Sequence, residues 1–213
     1  MWMITKITKI FSYLILLLFP SYCYICRKEG FVLCATCLRQ FPRTTDTPAP
    51  YITSMYSFKN KDLKKIIHAI KYFHRKDLLT PLAVVVSEEI KRSNLVGAYT
   101  LVPIPMPRLR RYIRGYNHTE ELARKISAHT SIPLNNTILT RNSTEKTKRQ
   151  VVTRSRFERL HNQHNTFAIQ ESPLGENIIL LDDVTTTGAT LHEARRVLLA
   201  HGAQSVIAFT IAH

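Results

Sequence analysis

The sequence is poor in acidic residues and has no internal repeat. It carries 15 Asp and Glu against 30 Lys and Arg in 213 residues, a formal net charge of +15. Such an excess of cations favours phosphate or nucleic acid as a partner, although a solvated basic surface is the alternative. A hydrophobic fraction of 45% excludes global disorder. The length allows one α/β domain with a small appendage but excludes two large domains.

The chain also lacks an apolar run long enough to span a membrane. Its longest run, residues 11–19, is about half the ~20 residues that a spanning helix needs. The preceding Lys6 and Lys9 fit a signal peptide, but no small-x-small cleavage pattern follows, and bulky Tyr22 before Cys23 argues against a lipoprotein site. We therefore expect a buried or capping amphipathic helix, with no stable membrane insertion.

Residues 44–50 form a polar, proline-rich linker. We place a domain boundary there, which leaves the apolar helix and all four cysteines in residues 1–50 and one larger domain in residues 51–213.

Strand and helix signals alternate through the larger domain. Apolar runs predict strands at residues 54–58, 99–104, 178–181 and 206–211, and helical spacing predicts helices at residues 63–72, 78–90, 120–128 and 189–200. This alternation is typical of βαβ units and indicates a parallel sheet flanked by helices.

Residues 178–190 are the most informative segment. An apolar strand delivers Asp182 and Asp183 to the carboxyl edge of the sheet, where open α/β folds bind ligands. Ionised carboxylates only accept hydrogen bonds, so this pair suits the vicinal hydroxyls of a ribose. Hydroxyls and backbone amides of the following loop can surround a phosphate at a helix N-terminus. The predicted phosphate-binding residues are Thr185, Thr186, Thr187, Gly188, Ala189 and Thr190.

Glycine at position 188 removes a Cβ that would keep a phosphate oxygen away. The alternative is an ordinary helix start capped by threonine, beside an acidic pair without function. A Walker-type nucleotide loop is excluded, because the Lys and Ser/Thr that should follow the glycine are absent.

This segment resembles the ribose-5-phosphate signature of type I phosphoribosyltransferases, and the rest of the chain resembles the ComF/GntX family of competence-associated phosphoribosyltransferase-like proteins. The matching residues are 101–105, Arg108, 114–117, 70–72, Thr147, Gln150, Arg154, Arg159, Asn162 and Phe167, together with the cysteine cluster. One departure is His118, where the family usually has Gln. The resemblance implies a type I phosphoribosyltransferase fold, with a mainly parallel sheet flanked by helices and a small N-terminal zinc-finger-like module.

The resemblance also implies a binding mode for phosphoribosyl pyrophosphate. Arg108 and Arg114 are candidates for holding the pyrophosphate, and Lys71 for adding a further positive charge. The alternative is that this arginine run is a solvated edge. Asp182, Asp183 and Arg114 are the predicted catalytic residues, with Mg²⁺ arriving on the pyrophosphate. Residues 141–162 are a candidate for the mobile loop that covers it.

The four cysteines occur as two pairs, Cys23 with Cys26 and Cys34 with Cys37, and seven residues separate the pairs. Two such turns predict a tetrahedral structural zinc site, with disulfides or incidental thiols as the alternative. Metal-binding thiolates favour a reducing compartment, so we expect a cytoplasmic protein.

Two functions fit these patterns. The first is a protein that binds phosphoribosyl pyrophosphate or a ribose 5-phosphate group and takes part in DNA uptake or utilisation, with its catalytic activity left open. The second is a non-catalytic DNA-uptake adaptor that binds single-stranded DNA or a helicase through its basic surface and zinc module.

Overall fold

A computed structural model describes residues 20–142 and 166–213. The predicted N-terminal apolar helix lies outside the described residues, as does the predicted covering loop except for its first two residues. Among the helices of the described segments, none combines the length and the apolar character that crossing a membrane requires.

The chain divides into two compact units, Met1–Phe41 and Pro42–His213. In the described part of the first unit, Tyr22 pairs with Glu29 and a short helix, α1, covers Ala35–Gln40. The boundary that we predicted at residue 50 falls inside the second unit, and the independence of the two predicted domains stays a prediction.

The described residues of the second unit alternate between strands and helices. The strands are β1 (Ile52–Tyr56), β2 (Tyr99–Pro103), β3 (Leu139–Arg141), β4 (Phe167–Ile169), β5 (Asn177–Val184) and β6 (Ser205–Ala212). The helices are α2 (Lys61–Tyr72), α3 (Leu79–Arg92), α4 (Arg108–Arg114), α5 (His118–Thr130) and α6 (Ala189–Ala200), with a 3₁₀ turn at Lys76–Leu78.

Four strands form a parallel sheet in the order β1-β6-β5-β2. This arrangement confirms the predicted parallel sheet, and helix α6 has the bounds that we predicted. The antiparallel pair β3-β4 was not predicted.

Asparagine side chains fix where two helices begin. The Asn60 side chain accepts a hydrogen bond from the Leu63 amide at 2.9 Å, and α2 then buries Leu63, Ile66 and Ile70 on one face. The Asn117 side chain accepts from the Thr119 amide and sets the start of α5.

Alternation along β5 sends successive side chains to opposite faces of the sheet. Ile178 and Leu180 belong to the core cluster that also contains Leu191 and Leu198 of α6. Each fully buried side chain of this size contributes roughly 1.5–3 kcal/mol. The same alternation separates Asp182 from Asp183, which therefore face different neighbours.

Candidate functional site

A cavity of about 230 Å³ opens at the carboxyl edge of the parallel sheet. It lies where β2 and β5 end, the position at which open α/β sheets bind ligands. The residues that line it are Lys71, Ile104, Pro105, Met106, Pro107, Arg110, Arg114, His118, Thr119, Arg141, Asp182, Asp183, Val184 and Thr190. The cavity thus brings together five of the predicted site residues: Asp182, Asp183, Arg114, Lys71 and Thr190.

Asp183 is a buried, doubly contacted carboxylate. Its Oδ2 lies 2.5 Å from Lys71 Nζ and 3.2 Å from His118 Nε2. Burial opposes its ionisation, but the contacts with His118 and Lys71 prevail and hold the pKa of Asp183 below its usual range. Asp183 is therefore a fixed anion, and Lys71 is committed to it.

Asp182 has the opposite character. Burial, together with the adjacent charge of Asp183, raises the pKa of Asp182 to about 8, although its Oδ1 accepts the Asp183 amide at 2.8 Å. We expected both carboxyls to be ionised, and the raised pKa of Asp182 differs from this, because two charges this close in a partly dry cavity repel each other. Near pH 7 the pair offers one anion and one carboxyl that can donate a proton in a hydrogen bond.

Three arginines line the same cavity as the carboxyl pair. Arg110 and Arg114 come from α4 and Arg141 from the end of β3. The Arg114 guanidinium lies 5.0 Å from the Tyr72 ring centroid, and the Arg141 guanidinium 5.6 Å from that of Phe167. Planar guanidinium groups in the lining of this cavity suit a phosphorylated ligand.

The threonine loop is only partly in the cavity. Thr190 lines it, whereas Thr185 is buried with its amide bonded to the Ala212 carbonyl, and Thr186 is exposed. The Thr187 hydroxyl accepts the Ala189 amide at 3.4 Å, close to the start of α6. The role of Thr185, Thr186, Thr187 and Ala189 in phosphate binding stays a prediction.

Gly188 has two structural reasons to be glycine. Its φ is +73°, and a Cβ there would lie 2.8 Å from Pro48 Cβ and 3.3 Å from Ile52 Cδ1. These constraints explain the glycine without a ligand, and the close approach of a phosphate oxygen stays a prediction.

The structure leaves one predicted arginine outside the cavity lining and adds three basic side chains that were not predicted as site residues. Arg108 is exposed at the start of α4 and is not among the lining residues. His118, Arg110 and Arg141 do line the cavity. Arg110 belongs to the same basic run as Arg108 and Arg114, so the sequence could have indicated Arg110 as a further candidate for binding phosphate. The sequence contains no signal for the placement of Arg141, because β3 pairs with a strand 26 or more residues away.

The four cysteines form a second cluster, in the first unit. All are free thiols, and their sulfur atoms lie within 4.8 Å of one another. The Sγ distances are 3.9 Å for Cys23–Cys37 and 3.6 Å for Cys26–Cys34. A tetrahedral ion with sulfur ligands at ~2.3 Å requires about 3.8 Å between sulfurs, so the cluster fits zinc.

Local interactions already favour a thiolate in this cluster. Burial opposes ionisation of Cys23, but backbone amides, first that of Cys34 at 3.4 Å, lower the pKa of Cys23 to about 6. Burial and the neighbouring sulfurs raise the pKa of Cys37 to about 12. A cation bound by all four would remove this conflict between neighbouring thiolates.

Residues 114–213 match the family described as "Phosphoribosyl transferase domain". The chain is 39% identical over 117 residues to competence protein ComFC of Bacillus subtilis, a match that covers 53% of this chain and 44% of that protein. It is 26% identical over 148 residues to DNA utilization protein YhgH of Escherichia coli O157:H7, which covers 68% and 64% of the two chains. It is 24% identical over 181 residues to competence protein F of Haemophilus influenzae, which covers 81% and 75%.

The chain thus spans less than half the length of the Bacillus relative and about two thirds of the Escherichia one. Among solved structures, a hypoxanthine phosphoribosyltransferase from Staphylococcus aureus is 10% identical over 63% of this chain and 62% of that one, with a TM-score of 0.39. The domain match, the parallel sheet and the clustered cysteines confirm the predicted fold class.

Proposed function

We propose that the chain belongs to the ComF family of phosphoribosyltransferase-like proteins, that it binds phosphoribosyl pyrophosphate or a ribose 5-phosphate group, and that it acts in DNA uptake or utilisation. The proposed role in DNA uptake or utilisation is motivated by the names of the relatives, which are competence and DNA utilization proteins. The chemical part rests on the cavity at the carboxyl edge of the sheet.

The observation that supports the proposal is that two carboxyl groups and three arginines line one cavity. Asp183 supplies a fixed anion and Asp182 a neutral carboxyl, which together suit a ribose diol that both donates and accepts hydrogen bonds. Arg110, Arg114 and Arg141 supply the positive charge that phosphate groups require.

Thr190 extends this cavity towards the first turn of α6. A phosphate there would meet the amides and the favourable dipole of a helix N-terminus, worth roughly 0.3–1 kcal/mol for each nearby charge. The ligand would then run from the helix, past the carboxyl pair, to the arginines.

We propose a part in bond cleavage for each of these groups. The carboxyl pair would hold the sugar, and the arginines would stabilise the departing diphosphate. Mg²⁺ bound to the diphosphate would neutralise further charge. Because Asp183 is already paired with Lys71, we expect the metal to be carried by the diphosphate rather than held by that carboxylate. Whether an acceptor then attacks the sugar decides whether the protein is a transferase.

Calorimetry with phosphoribosyl pyrophosphate and Mg²⁺ tests the proposal. Wild-type protein is expected to bind saturably, and Asp183→Ala to abolish the signal. The exposed Asp46→Asn is the matched control and should bind like wild type. Thr190→Val should weaken ribose 5-phosphate more than inorganic pyrophosphate. Wild-type protein without measurable heat or competition would overturn the proposal, and a screen of acceptor bases for pyrophosphate release would then be pointless.

We further propose that the four cysteines bind one structural zinc ion and that the protein is cytoplasmic, where thiols stay reduced. The sulfur distances support the first part, since four protein ligands complete a tetrahedron and leave no position for a substrate.

A second candidate function is single-stranded DNA binding, and one surface favours it. No α4 residue is buried, and Leu109, Tyr112 and Ile113 are 63%, 87% and 71% exposed. Tyr72 and Phe73, at the end of α2, are 58% and 65% exposed. Tyr112 within the basic helix α4, and Tyr72 with its ring centroid 5.0 Å from the Arg114 guanidinium, suit stacking against bases beside phosphate contacts.

Fluorescence anisotropy with a labelled oligonucleotide tests this second candidate. Binding should weaken steeply with salt, and Tyr112→Ala should reduce it without changing its salt dependence, because stacking releases no counterions. Binding that does not respond to salt, or no binding at all, would exclude the candidate.

A further inference from the structure

We infer that His118 is a positioning residue that links Arg114 to Asp183 and so couples the two ends of the cavity. The inference deepens the proposed function, in which Arg114 serves the diphosphate and Asp183 the sugar. It rests on the contacts of one buried imidazole ring.

The ring is fixed from both sides. His118 is 5% exposed, and its backbone is set by the Asn117 cap at the start of α5. Its Nε2 lies 3.2 Å from Asp183 Oδ2, and its Nδ1 lies 3.5 Å from a guanidinium nitrogen of Arg114. Both ring nitrogens are used, so the ring cannot turn over without losing a contact.

These partners dictate where the ring proton resides. Arginine can only donate hydrogen bonds, so Nδ1 must accept, and the proton of the neutral ring is left on Nε2. Asp183 is an anion whose Oδ2 lies 3.2 Å from Nε2, so the proton on Nε2 faces a negative charge. The result is a directed set of contacts, in which Arg114 donates to Nδ1 of His118 and the protonated Nε2 makes an electrostatic contact with Asp183.

Arg114 needs such an anchor. It lies in the last turn of α4, a seven-residue helix without a buried residue. Side-chain contacts, here with His118 and the Tyr72 ring, must therefore hold the guanidinium over the cavity. A loose Arg114 would lose part of its affinity for a diphosphate through the cost of ordering it.

Two substitutions separate positioning from space filling. Glutamine at 118 keeps an acceptor oxygen and a donor nitrogen on one planar group, whereas leucine keeps similar bulk but neither contact. We expect His118→Leu to weaken both inorganic pyrophosphate and ribose 5-phosphate by about tenfold, which corresponds to about 1.4 kcal/mol. His118→Gln should restore both to within about threefold of wild type. Equal losses in the two variants would contradict the inference.

A measurement on the unliganded protein tests the chain of contacts independently of binding. In ¹⁵N-labelled protein, the His118 nitrogen shifts should report the tautomer protonated on Nε2, and Arg114→Met should allow the two tautomers to mix. A wild-type ring protonated on Nδ1 would overturn the inference even if both ligands bind. If the wild-type protein shows the expected tautomer but binds neither ligand, the proposed function fails while the positioning contact stands.

Discussion

Replacing Asp182 by asparagine should make the protein more stable at neutral pH and flatten the pH dependence of its stability. The pKa of Asp182 is about 8 in the folded protein, against an ordinary value of 3.8. Between these values the folded protein keeps a proton that the unfolded chain has released, so wild-type stability falls as pH rises. Asparagine keeps the oxygen that accepts the Asp183 amide but has no proton to lose.

The size of the effect follows from the shift. Each pH unit inside this window costs the wild type about 1.4 kcal/mol relative to Asp182→Asn, or about 3 kcal/mol between pH 5 and pH 7.5. For a chain of this size that corresponds to roughly 6–12 °C in the difference of melting temperatures.

Thermal unfolding followed by circular dichroism from pH 5 to pH 8 measures this difference. Asp46→Asn, which removes an exposed carboxyl, controls for the loss of one charge and should track the wild type. If Asp182→Asn and the wild type keep the same difference in melting temperature at every pH, the repulsion that we assign to the carboxyl pair does not exist.

Three further outcomes follow. Gly188→Ala should destabilise by about 1–3 kcal/mol more than Gly115→Ala in chemical unfolding, because both have positive φ but only the first Cβ meets a neighbour; equal losses would contradict the packing argument. Metal analysis should find one zinc per chain, and Cys37→Ser should release it, whereas a metal-free wild type would contradict the zinc site. Arg141→Gln should weaken pyrophosphate binding about tenfold, since it removes a charge from the cavity, and an unchanged affinity would exclude Arg141 from the diphosphate end.

The fold was largely predictable because its elements carry strong local signals. Helix α6 combines an apolar face with a glycine on each side, and β5 is a run of aliphatic residues that only a covered sheet accommodates. The β3-β4 pair was missed because each strand has three residues and its partner is far along the chain. Helix α4 was missed because none of its side chains is buried, so no core pattern marks it.

Several residues of the site were predictable from the sequence, but the contacts between them were not. Sequence indicated that Asp182, Asp183, Arg114 and Lys71 belong together, and all four line the cavity. The sequence could not indicate that Lys71 forms an ion pair with Asp183 or that the two carboxyls differ in protonation. Both facts depend on distances between α2 and β5. His118 was visible only as a departure from the family pattern.

A crystal structure with ribose 5-phosphate tests the central claim most directly. The account predicts the phosphate against the amides at the start of α6 and the sugar hydroxyls against Asp182 and Asp183. A cavity closed by the protein's own side chains, or a ligand bound with its hydroxyls away from both carboxyls, would contradict it.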